Sequence, residues 1–386
     1  ERLTANFNED SVLELTPDLV GATETRNSGI IGQSVDLTLI HTGDVRPSKV
    51  VYELPSNLVL SKYRDANGEP TTNANFPDMK GLVDRIHALG LKAGIYSSPG
   101  PTTCQGLGAT WQHEEQDARA YVRWGFDYLK YDWCSYQGDR NNPDDLKKPY
   151  ILMGKIIPTL ERDVVFSICQ YGWGNVWEWG RSVGGHLWRM TGDIRDDWPS
   201  MTGIGFQQTG REQFAGPGGW NDTDMLVVGM VGWSQGSRPT NLTPNEQLTH
   251  MALWSLQAAP LLIGADLSKI DEWTTNILGN REMLAVNQDV LGKPAGRKSS
   301  DGWTEVWARP LEDGSMAVGL FNRGPESATV SVNWSDLGIT GSRLVRDIWQ
   351  QKDLGRVTNQ FSATVPRPSS PPPWFAVSAR AIQPGE

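Results

Sequence analysis

At 386 residues, with 21% charged and 38% hydrophobic side chains, 41 Gly and 24 Pro, the chain is long enough for a large core and two domains, and its composition excludes a disordered or fibrous protein. A formal charge of -10 argues against nucleic acid, whose recognition rests on clustered Lys and Arg, and fits a neutral partner. No apolar run approaches the roughly 20 residues that a membrane-spanning helix needs.

No charged-then-apolar leader opens the sequence at Glu1, so a signal peptide is expected to have been removed or never to have been present, and compartment has to be argued from cysteine. Three cysteines, Cys104, Cys134 and Cys169, are too few for a disulfide scaffold and lack CxxC spacing for zinc; one bridge plus one free thiol fits the count. Five scattered histidines without an HExxH pattern do not suggest a zinc hydrolase. The 17 tryptophans are more informative, because a flat apolar ring with one N–H suits the C–H faces of a sugar as well as a core. A single Trp is better read as core. Clustering beside acidic residues, in "DWC", "WRMTGD", "DDW" and "GGWNDTD", tilts the group towards carbohydrate.

In chain order, "SVDLTLIHTGD" and "SKVVYELP" read as strands with no amphipathic helix between them, so residues 1–62 are taken as a β-rich segment. Then "FPDMKGLVDRIHALG" is helix-periodic, with Met79, Leu82, Val83, Ile86 and Leu89 on one stripe and Gly90 as the stop. Strand "LKAGIYSS", helix "HEEQDARAYVRWG" and strand "FDYLKYD" follow. The alternation continues through helix 147–162, strand "DVVFSICQ", helix 175–183, strand "HLWRMTGD", helix 198–210, strand "GWNDTDMLVV", helix 244–258 and strand "PLLIGADL". Strands separated by helices mean βα units and a parallel sheet; polar residues at their C-terminal ends fit the mouth of a (β/α)8 barrel over 63–295. Its first two units are not found upstream. The short strands of 1–62 lack the helices of a parallel wall, which favours reading them as an extension. From 296 to 366, "TEVWARPL", "MAVGLFN", "ATVSVNW" and "RLVRDIW" read as an antiparallel β-sandwich. The Pro-rich tail 367–386 reads as poorly ordered, with "WFAVSARAI" as a candidate last strand.

The octamer "DYLKYDWC", residues 127 to 134, puts Lys130 and Asp132 two apart on one strand, where side chains share a face. The ammonium favours the ionised carboxylate, although a structural ion pair explains the octamer equally well. Downstream, "LWRMTGDIRDDW" alternates Arg189, Thr191 and Asp193 on one face, with Asp196 or Asp197 placed to cap the next helix. Asp222 and Asp224 alternate in "GGWNDTDML". Converging carboxylates rimmed by Trp, without a His or Cys ligand pattern, are what glycosidic cleavage asks for: one attacks the sugar, the other protonates the leaving oxygen. Lys130 makes Asp132 the ionised partner, and Asp193, expected near another negative charge, is the better candidate for the protonated acid. A divalent metal on Asp132, Asp222 and Asp224 is the rival chemistry, opposed by the positive charge of Lys130. No cofactor and no metal are expected.

Taken together, "FPDMKGLVDRIHALGLKAGIYSS", "TTC", "HEEQDA", "WGFDYLKYDWC", "WRMTGDI", "GPGGWNDTDML", "AAPLLIGADL" and "LAVNQDVLG" resemble the family 27 glycoside hydrolases, the α-galactosidase and α-N-acetylgalactosaminidase family, from about Arg64 to Pro366. The resemblance implies a retaining enzyme on a (β/α)8 barrel with a C-terminal β-sandwich, acting on a terminal α-linked galactose or a close galacto-configured sugar. By matching positions it makes Asp132 the nucleophile and Asp193 the acid/base. It makes Tyr96, Lys130, Arg189, Asp224 and Met225 sugar-contacting residues. Gln170 stands where many members have Glu, and Trp173 falls near the residues that sort a 2-hydroxyl from a 2-acetamido group. Cys104 and Cys134 match a family disulfide, which implies a secreted or periplasmic setting, the alternative being two reduced core thiols. The family's opening Gly-Trp-Asn-Ser-Trp strand, its paired Asp residues and its closing strand are not recognised in this sequence. A non-catalytic carbohydrate-binding relative is therefore the rival expectation.

Overall fold

The computed structural model describes residues 36–40, 49–54, 60–73, 76–232, 236–368 and 377–382. They divide into two compact units: one takes in the chain up to Asp193 with Met230–Arg238 and Leu262–Ile270, the other Ile194–Gly229, Pro239–Leu261 and Asp271 onward.

The first unit is built from βα repeats. Helix Met79–Ala88 forms where Met79, Val83 and Ile86 recur on one buried stripe, and Asp78 caps its start by accepting from the Gly81 amide. Gly90, at φ 77°, turns the chain into strand Lys92–Ser97. Helix Glu114–Trp124 ends on Gly125 at φ 103° and leads to strand Tyr128–Tyr131. Helix Pro143–Ile156 then precedes strand Val165–Ile168, and the short helical turns Val176–Trp179 and Gly180–Val183 precede strand Leu187–Arg189. Lys49–Leu54 and these four strands pair in parallel, in sequence order. Their register sets Tyr96 beside Lys130 and Lys130 beside Ser167.

The start of the chain departs from expectation. Strand Lys49–Leu54 joins this sheet, Val51 pairing with Lys92 and Leu54 with Ile95, and strand Asp36–Ile40 pairs with it antiparallel, Asp36 opposite Glu53. The described part of the 1–62 segment therefore supplies sheet strands and is not an unrelated extension. Antiparallel neighbours need only a short connection, whereas parallel ones need a crossover of about a dozen residues or more.

Two charge clusters tie the unit together. Arg64 grips buried Asp117 with both terminal nitrogens, at 2.6 and 2.8 Å, and donates to the carbonyls of Gly68 and Ala109. At the N-terminal foot of strand Tyr128–Tyr131, buried Asp127 is contacted by His87 Nε2 at 2.7 Å, Arg162 at 2.7 Å, Lys92 at 3.2 Å and the Ala93 amide at 3.0 Å. Burial alone would push the Asp127 carboxyl up, but the Ala93 amide, His87 and Lys92 hold it below its ordinary value.

In the second unit, Asp197 is the residue that caps helix Trp198–Gly205, accepting from the Ser200 amide at 2.8 Å. Helix Pro244–Leu256 opens with a capping box between Thr243 and Glu246 and is buried from Asn245 through Leu256, on every face. It lies against a six-stranded sheet so closely that a Cβ on Gly319 would come within 2.5 Å of Leu256 Cδ1. The strand order is Gly296–Asp301, Thr304–Pro310, Met316–Asn322, Val377–Ile382, Ser342–Asp347, Lys352–Thr358, and neighbouring strands pair antiparallel. A two-stranded antiparallel sheet of Ala328–Asn333 and Gln360–Val365 packs with it around Val306, Ala308, Val318, Leu320, Val330, Val332, Trp334, Val345 and Val365. The expected sandwich is present. Its closing strand is too: Val377–Ile382, within the segment read as a tail, pairs with both Met316–Asn322 and Ser342–Asp347.

Replacing Asp127 by Asn should lower stability at pH 7 by about 2 kcal/mol, below the usual figure for a broken buried pair because Lys92 and Arg162 stay 36% and 38% exposed. The depressed carboxyl contributes above its unfolded value of about 4 and loses that contribution as pH falls through the lower folded value. Urea unfolding should accordingly separate wild type from variant at pH 7 and much less at pH 3.

Candidate active site

The parallel register delivers side chains to one end of the sheet in the first unit. Strand Tyr128–Tyr131 ends at Asp132, whose amide donates to Ser97 O at 3.0 Å, and Cys169 continues the next strand by donating to Tyr131 O at 2.9 Å. The Cys104–Cys134 disulfide holds the turn that follows, with Cα atoms 5.0 Å apart, a spacing that suits a bridge. Ser98 Oγ donates to Cys134 O at 2.7 Å and reinforces that turn.

Asp132 is buried and accepts from three donors: Tyr96 OH on Oδ2 at 2.7 Å, and Tyr171 OH at 2.5 Å and the Trp133 amide at 2.7 Å on Oδ1. Burial and the Asp132 charge push the Tyr96 phenol far up. Burial, Cys169 and Asp132 do the same for Tyr171. Both hydroxyls therefore stay protonated and keep donating to Asp132. Lys130, expected to perform that role, sets its ammonium 5.9 Å from the centre of the Tyr96 ring and lowers the Tyr96 phenol against the other influences.

Arg189 is buried, donates to Cys169 Sγ at 3.7 Å, and pairs with Asp193 at 2.8 Å. The Asp193 side chain is 74% exposed. The neighbour expected for Asp193 was a second negative charge; what contacts it is a guanidinium, although its charge still raises Tyr171 and Cys169. Burial pushes the Cys169 thiol well up, so it stays neutral. Gln170 is fully buried, and its Oε1 and Nε2 make no hydrogen bond, which leaves both able to meet a sugar hydroxyl. Half-buried Trp173 packs its ring 5.1 Å from that of Tyr171 and edge-on to Trp133 at 6.3 Å, with the Arg140 guanidinium 5.3 Å from its centre. The first unit thus brings Tyr96, Lys130, Asp132, Arg189 and Asp193 into one electrostatic neighbourhood.

Sequence reasoning missed Tyr171. Its signal was "CQYGWG", an aromatic running directly into two closely spaced glycines, a pattern suited to a left-handed turn; Tyr171 has φ 60° and Gly172 φ 80°.

Asp224 and Met225 belong to the second unit. Asp224 stands at φ 77°, accepts from the Ile194 amide at 2.7 Å and the Met225 amide at 2.8 Å, and donates its own amide to Asp222 Oδ1 at 2.8 Å. Its carbonyl takes the Trp254 indole at 2.7 Å. His250, packed edge-on against Trp254 at 4.1 Å, accepts from the Val227 amide at 3.1 Å, and burial pushes it down to about 3. It serves this loop as a neutral imidazole. Among the described residues one group places three potential ligand atoms together, Cys104, Asp132 and Cys134, and the disulfide takes two of them, which does not suit a cation.

A family model described as "Alpha galactosidase A" matches residues 49–289, and one described as "Alpha galactosidase C-terminal beta sandwich domain" matches 301–370. An alpha-galactosidase of Cyamopsis tetragonoloba is 41% identical over 307 residues, 78% of this chain and 71% of the relative. Alpha-galactosidase 2 of Arabidopsis thaliana is also 41% identical over 307 residues, 78% of this chain and 74% of that one. The chain belongs to the α-galactosidase family. The solved structure of alpha-galactosidase I from Mortierella vinacea is similar as well, at TM-score 0.78 and 30% identity, covering 86% of this chain and 87% of the other.

Membership assigns the βα repeats to the family's (β/α)8-type barrel and makes the chain an α-galactosidase-like glycosidase followed by a β-sandwich. The family match begins at residue 49 and not at Arg64, which agrees with strand Lys49–Leu54 standing in the sheet.

In this family member, Asp224→Ala should cost about 3 kcal/mol, since it removes two amide caps from a carboxylate and leaves a Cβ-bearing residue at positive φ without local hydrogen bonds. Asp224→Asn should cost about half as much. Denaturant midpoints of the two variants check the order.

Proposed function

We propose that this chain is a retaining α-galactosidase that releases a terminal α-linked galactose, or a close galacto-configured sugar, by double displacement. Asp132 attacks the anomeric carbon while Asp193 protonates the leaving oxygen; Asp193 then takes a proton from water, which displaces the sugar from Asp132. One observation carries this reading: a buried carboxylate at a strand's C-terminal tip, ringed by three neutral donors, with an exposed carboxylate held on Arg189 in the same neighbourhood. The donors favour an ionised nucleophile, and exposure lets Asp193 exchange protons with solvent. Tyr96, Lys130, Arg189, Gln170 and Trp173 are the candidate sugar contacts of the first unit; for Asp224 and Met225 the family resemblance is the support. Relatives named α-galactosidases at 41% identity support galactose as the sugar.

The non-catalytic alternative rested on missing strands, and the strands at 36–40 and 49–54 weaken it. The Cys104–Cys134 bridge supports an oxidising, extracytoplasmic compartment.

Parallel assays on p-nitrophenyl α-D-galactoside, α-N-acetylgalactosaminide and β-L-arabinopyranoside test the substrate. The galactoside should turn over fastest, and NMR of the first-formed product should show the α-anomer. A first-formed β-anomer would refute double displacement. Asp132→Asn should lower kcat by at least about 1,000-fold while the melting midpoint stays near that of wild type. Asp193→Ala should slow poor leaving groups far more than activated aryl ones in the first step, with azide restoring part of the activity. Equal losses for both classes would remove Asp193 from the acid/base role.

A further inference from the structure

The two oxygens of Asp132 are not equivalent. Oδ1 accepts from Tyr171 OH at 2.5 Å and from the Trp133 amide at 2.7 Å; among the hydrogen bonds of the described residues, Oδ2 accepts from Tyr96 OH, at 2.7 Å. A carboxylate oxygen has two lone-pair directions, so Oδ1 has both engaged and Oδ2 has one remaining. The backbone at Tyr171 is committed to this contact. A tyrosine at φ 60° is uncommon for a side chain of that bulk, and such conformations persist where surroundings over-determine them. Here they do: Gly172 follows at φ 80°, and a Cβ on it would meet Met190 O at 2.1 Å, so the turn is pressed on the neighbouring strand's exit. The Trp173 ring backs the phenol at 5.1 Å.

We propose that Tyr171 is a positioning residue for the nucleophile: its hydroxyl, with the Trp133 amide, pins Asp132 Oδ1 and so makes Oδ2 the oxygen that attacks the anomeric carbon. This rests on Asp132 being the nucleophile. In the first step the Oδ2–C1 bond forms as the bond from C1 to the leaving oxygen breaks, the leaving oxygen taking the Asp193 proton. In the second, water bonds to C1, its proton returns to Asp193, and the Oδ2–C1 bond breaks. Tyr171 keeps its proton throughout and changes only where the carboxylate points and how firmly it stays ionised. The groups facing Asp132 are Tyr96 from the adjacent strand, Lys130 from its own strand, Tyr150 from helix Pro143–Ile156, Cys169 and Tyr171, and, beyond them, Arg189 with Asp193. Of these, Tyr96 and Tyr171 are the two whose side chains donate to the carboxylate.

Tyr171→Phe keeps the ring and deletes the hydroxyl. Its kcat should fall about 10- to 100-fold, the loss expected when one hydrogen bond to a charged group goes, with KM changing by less. The acid limb of kcat/KM should move to higher pH, because a carboxylate with one donor fewer is easier to protonate. Labelling by 5-fluoro-α-galactosyl fluoride, followed by peptide mapping, separates the two layers. Wild type labelled at Asp132, with slower labelling of Tyr171→Phe, supports both. Label at Asp132 in each protein, with kcat and pH profile within about twofold of each other, overturns the role of Tyr171 alone. Label at another residue overturns the nucleophile and this proposal with it. If Tyr171→Phe melts well below wild type, Tyr171→Met, apolar and without a donor, is read by the same three measurements.

Discussion

The candidate site depends on the parallel register of a few very short strands. Tyr96 stands beside Lys130 and Lys130 beside Ser167 because each strand begins one helix after the last and is locked to its neighbour by evenly spaced hydrogen bonds. The working residues lie just past the ends of these ladders: Asp132 one residue beyond Tyr131, Cys169 one beyond Ile168, Asp193 four beyond Arg189. A slip of one residue would turn Asp132 away from Tyr96 and exchange the faces of every neighbour. The disulfide and Ser98 hold the turn after Asp132, where the ladder no longer does.

Much of this was legible in the sequence, and the exceptions have physical reasons. Alternation of period 2 and period 3.6 exposed strands such as Lys92–Ser97 and helices such as Met79–Ala88, because each buries one face. The role of strands Asp36–Ile40 and Lys49–Leu54 was hidden because they pair antiparallel with each other, whereas the pattern sought was that of parallel neighbours. Val377–Ile382 was half hidden by the prolines before it, although its own alternation was noticed. Helix 175–183 proved to be two short turns that meet at Gly180, a residue that disfavours a continuous α-helix.

At the site, the acids were readable and their environments were not. "KYD" and "WRMTGD" announce carboxylates at strand ends, but which donor meets which oxygen is decided by loops that bring together residues far apart in the chain. Tyr96 and Tyr171 lie 36 and 39 positions from Asp132. The charge logic that paired Lys130 with Asp132 left out two phenols, which carry no formal charge and so leave no trace in charge counting, and which donate to the carboxylate. Asp193 was assigned an acidic neighbour on similar grounds, and the fold gives it Arg189.

Strand Tyr128–Tyr131 carries an aspartate at each end, Asp127 at the foot among cations and Asp132 at the tip among hydroxyls. The foot secures the element, and the tip carries the proposed chemistry. Because the two duties fall on different residues held by different partners, selection can act on them separately. Variation around the tip is judged on chemistry while the foot keeps the chain folded, so a lineage can drift in what it cleaves without first crossing a valley of instability.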